Sequence, residues 1–340
     1  MISTPTVFVL GAGASVPFGF PTGDGLRREI IKSALSENPL RDKIFPDTKP
    51  LKGFSESVIQ AAGGAVSDRV QLESFADSLL DSGLSSVDAF LEVRPEFRDI
   101  GRLSIASALI RREAPEVVSL HEGDWILYLW NQMRGAVTDG GVNNVGFITF
   151  NYDRTLEFRL TLAIAATLHL DTAKAWEIVQ QWPIVHIYGQ LAPFKPVGDE
   201  QHREYRADLS EESLNLAASS LRFIDERDDA PLEEARSLLS QAHHVVFLGF
   251  GFDRTNVRRL ANRNSKVNRL GFRLMASSLG MTDGEVRLAT ERVISAFEVK
   301  STTSNAGQTG YETPRRDSIK FWNGSCMDTL REFADTISDV

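Results

Sequence analysis

Four short apolar runs are spread along the chain, and each of them ends at a glycine or at a polar residue. The runs are Thr6–Leu10, Val145–Phe150, Pro183–Val185 and His244–Leu248. A run rich in β-branched and aromatic residues and bounded by glycine is typical of a strand buried in a parallel sheet. The pattern therefore predicts at least four parallel strands, with distinctive residues at their carboxyl ends.

Stretches with the apolar spacing of helices lie between and after these runs. From Leu26 to Leu35 the apolar residues fall at 26, 30, 31, 34 and 35, which is one face of a helix. Further helices are predicted from about Arg154, from about Arg254, and from Thr282 to about Phe297, the last opened by a capping box. A strand, a glycine turn and a helix in this order open a doubly wound nucleotide-binding fold. We therefore predict an α/β protein with a Rossmann-like, doubly wound parallel sheet.

The second half of the chain carries weaker patterns. A helix is predicted from about Ser210 to Ile224, with Asp208 as a possible N-cap and Glu211 closing a capping box. The remaining predicted elements are a strand at Arg269–Leu274, a loop at Ser301–Arg316, a strand at Ile319–Trp322 and a helix after Ser325.

Residues 25–142 have a different texture from the rest of the chain. They contain no convincing strand, and their polar and apolar residues follow helical spacing, as in Val70–Leu80 and Ser104–Arg111. We predict a mostly helical insertion at 25–142, set into a Rossmann-like core formed by residues 1–24 and 143–340.

Composition narrows the functional classes. The 340 residues carry a formal net charge of -9, which makes a sequence-independent grip on nucleic acid a poor expectation. One cysteine, Cys326, excludes an intrachain disulfide and a multi-cysteine zinc site, so no metal is expected. The longest apolar stretch, Leu160–Leu170, is too short to cross a bilayer, and no secretory signal is apparent. We expect a cytoplasmic protein with no membrane contact.

Two glycine turns follow predicted strands. Gly11 and Gly13 stand between a strand and a helix, where glycine lets the backbone approach a pyrophosphate and turn N–H groups donate to it. The third glycine of the usual dinucleotide fingerprint is missing, because that position holds Val16. Gly249 and Gly251 offer a similar turn after the fourth strand. In both cases the alternative is a tight turn without a ligand.

Three polar residues follow the second and third predicted strands. Asn151 and Asp153 lie where open α/β sheets place their ligands, and an asparagine there can contact a ribose hydroxyl or hold a water. Asn151 could instead be a turn residue, and Asp153 could be only the N-cap of the next helix. His186 follows a third strand and suits general-base chemistry near neutral pH, although a lone histidine is usually structural.

Taken in order, these motifs resemble the bacterial sirtuin-like domains that hydrolyse NAD in antiphage defence. The segments that carry the resemblance are Gly11-Ala-Gly-Ala-Ser15, Pro21-Thr-Gly23, Ser86-Val-Asp-Ala-Phe-Leu91, Phe150-Asn-Tyr-Asp153, His186-Ile-Tyr-Gly189 and Leu248-Gly-Phe-Gly251. The chain departs from deacylating sirtuins, because it lacks their four-cysteine zinc module and has Pro-Thr-Gly and Phe-Asn-Tyr-Asp in place of their Pro-Asp-Phe-Arg and Gln-Asn-Ile-Asp. The resemblance therefore favours NAD hydrolysis over protein deacylation.

The resemblance also implies roles around one NAD molecule, which would be the substrate. Asn151 would contact the nicotinamide ribose or position water, Asp153 would support the pocket, and His186 would act as base. The residues implied to line the remaining parts are Gly11, Ala12, Gly13 and Ser15 at the pyrophosphate, Pro21 and Thr22 beside the nicotinamide half, and Gly249 and Gly251 at the adenosine half.

The function expected from this resemblance is an NAD glycohydrolase that depletes NAD in antiphage defence. Unchecked NAD loss would kill the host, so the resemblance implies gating by homo-oligomerisation or by a separate partner such as an ATPase or an Argonaute-like protein. Three alternatives stay open: an NAD-dependent protein deacylase, a non-catalytic module that senses NAD or ADP-ribose, and a hydride-transfer dehydrogenase. The missing third glycine and the large insertion disfavour the dehydrogenase.

Overall fold

The computed structural model describes the chain except for residues 36–42, 119–122, 139, 141–142, 224–228, 262–272, 298, 302–309, 313–317 and 338–340. Its strands are β1 (Thr6–Leu10), β2 (Val145–Thr149), β3 (Ile184–His186), β4 (His244–Leu248), β5 (Arg273–Ser277), β6 (Val299–Ser301), β7 (Gly310–Glu312) and β8 (Ile319–Trp322). Six of them form one parallel sheet in the order β3-β2-β1-β4-β5-β8. The predicted doubly wound parallel sheet is confirmed.

The strand order places a topological switch point between β1 and β4. The chain builds the sheet outward from β1 through β2 to β3, and then returns to the other side of β1 to form β4. The pairing register sets Leu10, Thr149, His186 and Leu248 in one row across the four strands. The turns that follow these residues therefore emerge at the same edge of the sheet, where ligands of such folds bind.

Every described element between β1 and β2 is helical, apart from turns. The α-helices are α1 (Gly23–Ala34), α2 (Phe54–Ala62), α3 (Val66–Asp81), α4 (Val87–Val93), α5 (Arg98–Ile110), α6 (Pro115–Val118) and α7 (Trp125–Thr138). A later helix, α10 (Glu211–Ser220), packs against α2 and α5. The predicted boundary between residues 24 and 25 falls inside α1, so the helical layer begins slightly before it.

Helices cover both faces of the sheet. On one face α7 contacts both α8 (Thr155–Leu168) and α14 (Cys326–Glu332), while α9 (Thr172–Val179) packs against α8. The other face carries α11 (Ala230–Gln241), α12 (Arg254–Leu260) and α13 (Asp283–Ala296), and a short α15 (Ala334–Ile337) ends the described chain. Because of this double cover, β1 and β2 are buried at every position.

Several local predictions need correction. Ser210, not Asp208, is the N-cap of α10, because its side chain accepts the N–H of Ser213; the helix ends at Ser220. The fifth strand begins at Arg273, and residues 269–272 lie outside the described chain. The predicted loop at 301–316 is also wrong where it is described, since β6 and β7 pair there as an antiparallel ladder. Their polar and glycine-rich surroundings hid two strands of only three residues each.

Candidate functional site

The two glycine turns meet at the switch point between β1 and β4. The N–H of Gly11 donates to the carbonyl oxygen of Leu248 at 3.0 Å, and the N–H of Gly13 donates to that of Gly249 at 2.9 Å. A Cβ atom on Gly249 would lie 2.0 Å from the nitrogen of Ala14, and the φ angle of Gly249 is +59°. Close packing of one turn on the other therefore requires glycine at this position.

Most of the N–H groups that were expected to bind a pyrophosphate already donate to carbonyl oxygens of the protein. Besides those of Gly11 and Gly13, the N–H groups of Ala14 and Ser15 donate to carbonyl oxygens within the same turn. Within the described residues, the N–H of Ala12 has no acceptor. The sequence predicts that several N–H groups of this turn face a ligand. In the described residues one such N–H remains, that of Ala12, which is half-buried.

A pair of glycine variants tests this packing. We expect Gly249→Ala to lower the free energy of unfolding by at least about 2 kcal/mol, because the new methyl group overlaps backbone atoms and strains a left-handed conformation. Gly251→Ala is the matched control, since a Cβ there meets nothing within 4 Å, and its effect should stay within about 0.5 kcal/mol. Urea unfolding of both variants measures the difference, and equal midpoints would show that the two turns are not packed in this way.

Asn151 and Asp153 join the two sides of this edge. The Asn151 side-chain amide donates to the carbonyl oxygen of Gly11 and to the Ser15 hydroxyl, both at 3.0 Å. That hydroxyl donates to Asp153 at 2.6 Å, and the second oxygen of Asp153 accepts the N–H of Thr155 at 3.1 Å. Asp153 therefore supports the start of α8 as well as the site. Asn151 is more than a turn residue, because its side chain bonds to the turn that follows β1.

His186 lies on the same edge, paired with an acidic residue of α8. Its Nε2 atom is 2.7 Å from a carboxylate oxygen of Glu157, and its Nδ1 atom is 3.2 Å from the backbone carbonyl oxygen of Asn151. The side chains of His186 and Glu157 are only 7% and 5% exposed. Both ring nitrogens face acceptors, so the geometry favours the doubly protonated imidazolium. The same two contacts are also expected of a histidine whose role is purely structural.

The ionisation of these groups follows from burial and from their partners. Burial by itself lowers the pKa of His186, but Glu157 and the Asn151 carbonyl raise it, and the net result lies above the ordinary 6.5. Burial raises the pKa of Asp153, although hydrogen bonds from Ser15 and Thr155 oppose the shift. Because the folded-state pKa of His186 is raised, its stabilising contribution is complete below about pH 6.5 and is lost as the pH rises through that raised pKa.

The remaining predicted residues stand apart from this hydrogen-bonded network. Thr22 is exposed and caps α1 by accepting the N–H of Gly25, and Pro21 lies beside that same glycine. Gly251 is exposed, with open space around it. The network thus brings together Gly11, Gly13, Ser15, Asn151, Asp153, His186 and Gly249. Pro21, Thr22 and Gly251 lie outside it.

Two acidic residues of this region escaped sequence reasoning. Glu157 lies in the first turn of α8, four residues after Asp153, and this short spacing was the signal in the sequence that could have placed it near the site. Glu113 is fully buried and pairs with Arg154 at 2.6 Å and with Arg203 at 3.1 Å. No local sequence pattern predicts the cluster of Glu113, Arg154 and Arg203, because its members come from three distant parts of the chain.

Arg154 and Arg203 hold the segment that follows β3. Arg154 donates to the carbonyl oxygens of Ala192, Arg203 and Glu204, and Arg203 donates to that of Leu191. Since Arg154 directly follows Asp153 in the chain, the buried cluster links the Asn151–Asp153 turn to the segment 190–208.

Two cavities border this edge, and they differ greatly in size. The space lined by Ser15, Asn151 and Asp153 has a volume of about 10 Å³, which is the room of a single water. A second cavity of about 690 Å³ borders His186 and runs between α9, β3 and the residues after β3. Glu157 lines both. A nucleotide beside Asn151 would need the first space to widen or would have to lie on its exposed rim.

Neither a metal-binding cluster nor a membrane-spanning helix is found among the described residues. No group of three or more His, Cys, Asp or Glu side chains there is arranged to hold a metal ion. No helix in the described ranges has the length and apolar character needed to span a bilayer.

No model of a known protein family matches this sequence, and no curated protein matches it. Among solved structures, the chain is similar to a Sir2 in complex with the inhibitor EX-527, 2'-O-acetyl-ADP-ribose and a deacetylated p53 peptide. The sequence identity is 15%, the alignment covers 97% of this chain and 93% of the other, and the TM-score is 0.31. At this identity and TM-score, the likeness assigns no role to any residue of this chain.

Proposed function

We propose that this chain binds NAD at the carboxyl edge of its sheet and hydrolyses the bond between nicotinamide and ribose. One observation carries the proposal: an amide, a buried carboxyl group and an imidazole–carboxylate pair meet beside the switch point of a doubly wound sheet. Ligands of such sheets bind at this point, and this set of side chains can both hold a ribose and move a proton.

The chemistry needs few groups. Water attacks the anomeric carbon of the nicotinamide ribose, the bond from that carbon to the ring nitrogen breaks, and its electron pair stays with nicotinamide. The leaving group is a cationic pyridinium that departs as a neutral ring, so a general acid of the O-glycosidase type is not required. In this proposal Asn151 orients the ribose or the water, and His186, coupled to Glu157, accepts the proton that the water loses.

In this proposal, separate short segments of the chain contact the different parts of the dinucleotide. The N–H of Ala12 and the exposed rim near Gly251 would border the pyrophosphate and the adenosine half, respectively. Pro21 and Thr22 would lie beside the nicotinamide half. The N–H groups of Gly11 and Gly13 already donate to the carbonyl oxygens of Leu248 and Gly249. Their proposed contribution is therefore to let the backbone come close to the dinucleotide, and not to donate hydrogen bonds to it.

The wider role is part of the same proposal. An enzyme that consumes NAD without control would harm its own cell, so we propose gating by self-association or by a separate partner protein in antiphage defence. A second candidate function, a non-catalytic sensor of NAD or ADP-ribose, is favoured by one observation: both nitrogens of His186 already have partners inside the protein.

Incubation of the full chain with NAD tests the proposal, with nicotinamide and ADP-ribose followed by chromatography. We expect both products in equal amounts without any peptide. A requirement for an acylated peptide would identify a deacylase instead. Binding of NAD without turnover, both for the chain alone and with a candidate ATPase or Argonaute-like partner added, would identify the sensor and contradict hydrolysis.

A further inference from the structure

The segment 86–91 makes a polar contact that has no part in the proposed reaction. Its Asp88 lies in the first turn of α4, where Ser86 is the N-cap and accepts the N–H of Ala89 at 3.2 Å. A carboxylate oxygen of Asp88 accepts the hydroxyl hydrogen of Tyr152, 64 positions further along the chain. Tyr152 is only 6% exposed. The bond therefore joins the helical layer between β1 and β2 to the turn that follows β2.

Tyr152 occupies the middle of the turn that carries the candidate site. The side chains of its two chain neighbours meet at Ser15, whose hydroxyl accepts the Asn151 amide at 3.0 Å and donates to Asp153 at 2.6 Å. The carbonyl oxygen of Tyr152 accepts the N–H of Leu191 at 2.9 Å. Because the peptide units on both sides of Tyr152 are planar, a shift of this residue is passed to both neighbours.

A second tyrosine packs against Tyr152 from the segment after β3. The ring centroids of Tyr152 and Tyr188 are 6.4 Å apart, and the Tyr188 hydroxyl donates to the side-chain oxygen of Asn256 in α12. The guanidinium carbon of Arg259 lies 5.6 Å from the ring centroid of Tyr188. Both tyrosine rings are buried. The ring of Tyr152 is therefore held by packing, and its hydroxyl bond to Asp88 can be removed on its own.

The protonation states of the pair keep this hydrogen bond in place. Burial and the nearby Asp88 carboxylate raise the pKa of Tyr152 well above 10, so its hydroxyl keeps the proton that it donates. Burial also raises the pKa of Asp88, and the bond from Tyr152 opposes that shift. Loss of the Asp88 carboxylate would leave a buried hydroxyl without its acceptor, at the turn that holds Asn151.

We propose that Asp88 is a positioning residue for Asn151. By accepting the Tyr152 hydroxyl, it fixes the turn after β2, so that the Asn151 amide stays directed at the turn after β1. Through this contact the helical layer between β1 and β2 sets the geometry of the site. The inference deepens the proposed function and rests on it for the reaction that is affected. A misplacement of about 1 Å at a reacting group can lower a rate about 100-fold.

Turnover of NAD tests the effect on the reaction. Tyr152→Phe removes the hydroxyl and keeps the ring, and Asp88→Ala removes the acceptor. We expect each variant to lower kcat for nicotinamide release by about 10-fold or more, with KM within about 3-fold of wild type. The double variant should be no slower than the slower single variant, because both changes break the same bond.

Two further variants serve as controls. Asp88→Asn keeps an oxygen that can accept the Tyr152 hydroxyl, so it should retain at least about a third of the wild-type kcat. Tyr128→Phe in α7 is the matched control for Tyr152→Phe. Tyr128 is half-buried and its hydroxyl bonds to none of the described residues, so kcat should stay unchanged. Thermal melts confirm that each variant is folded at the assay temperature.

Amide hydrogen exchange, followed by mass spectrometry, tests the positioning without turnover. In Tyr152→Phe and Asp88→Ala the amides of residues 150–155 should exchange about 10-fold faster than in the wild type, whereas those of β4 should change by less than about 3-fold. No increase in residues 150–155, or an equal increase in both segments, overturns the proposal, as does wild-type kcat in both variants of an active chain. If the wild-type chain hydrolyses no NAD, the proposed function fails, and the exchange decides this inference by itself.

Discussion

Replacing His186 with alanine is expected to lower the rate of nicotinamide release from NAD by about 100-fold or more. The imidazole acts as the base once it has lost a proton, which occurs as the pH rises through its raised pKa, and its pairing with Glu157 fixes its orientation. Asn151→Ala should have an effect of similar size, because it removes the bridge from the turn after β2 to Gly11 and Ser15. Initial rates at saturating NAD measure both effects.

The controls separate chemistry from folding. His243→Ala removes an exposed histidine before β4 and should leave the rate unchanged. His186→Gln keeps a hydrogen-bond donor for the buried Glu157 but cannot accept a proton in the same pH range, so it should fold and remain inactive. Rates near wild type in both His186→Gln and Asn151→Ala would refute the assigned roles.

The pH dependence of turnover follows from the same pair. With His186 as base, the rate should rise with pH through a midpoint above 6.5, because the imidazolium must first lose its proton. Glu157→Gln removes the charge that raises this pKa, so the midpoint should move to lower pH. A midpoint that Glu157→Gln leaves in place would show that another group controls the rate.

The second large effect concerns stability. Glu113→Ala should lower the free energy of unfolding by about 3–5 kcal/mol, because it leaves the guanidinium groups of Arg154 and Arg203 buried without a counter-charge. Since both arginines hold carbonyl oxygens of the segment after β3, that segment should also become more accessible to protease. Urea unfolding and limited proteolysis measure the two consequences.

Glu96→Ala is the matched control for Glu113→Ala. Glu96 pairs with Arg94 at 2.6 Å, but their side chains are 53% and 42% exposed, so solvent screens the interaction and little change in stability is expected. Comparable losses in Glu96→Ala and Glu113→Ala would contradict the view that the buried cluster ties this part of the fold together.

The sheet could be predicted from sequence because its strands are buried on both faces. Thr6–Leu10 and His244–Leu248 read as continuous apolar runs, and each ends at a glycine that the packing of two turns requires. The short strands β6 and β7 could not be predicted, because three residues are too few to show the alternation that distinguishes a strand from a loop.

The candidate site was only partly predictable. Asn151 and His186 follow predicted strands, so strand order alone brings them to one edge of the sheet. The pairing of His186 with Glu157 depends on how α8 lies on the sheet, which the sequence does not fix. The contacts of Glu113 join residues up to 90 positions apart, and no local pattern encodes them. The available N–H groups of the first turn were overestimated, because hydrogen bonds between the two turns are invisible in the sequence.

The most direct test of NAD binding at the carboxyl edge of the sheet is a crystal structure of the His186→Gln protein grown with NAD. We expect one dinucleotide with its pyrophosphate within hydrogen-bonding distance of the Ala12 N–H, its nicotinamide ribose beside Asn151 and its adenosine half near Gly251. A fully occupied dinucleotide elsewhere on the chain, or an empty edge at saturating NAD, would contradict it.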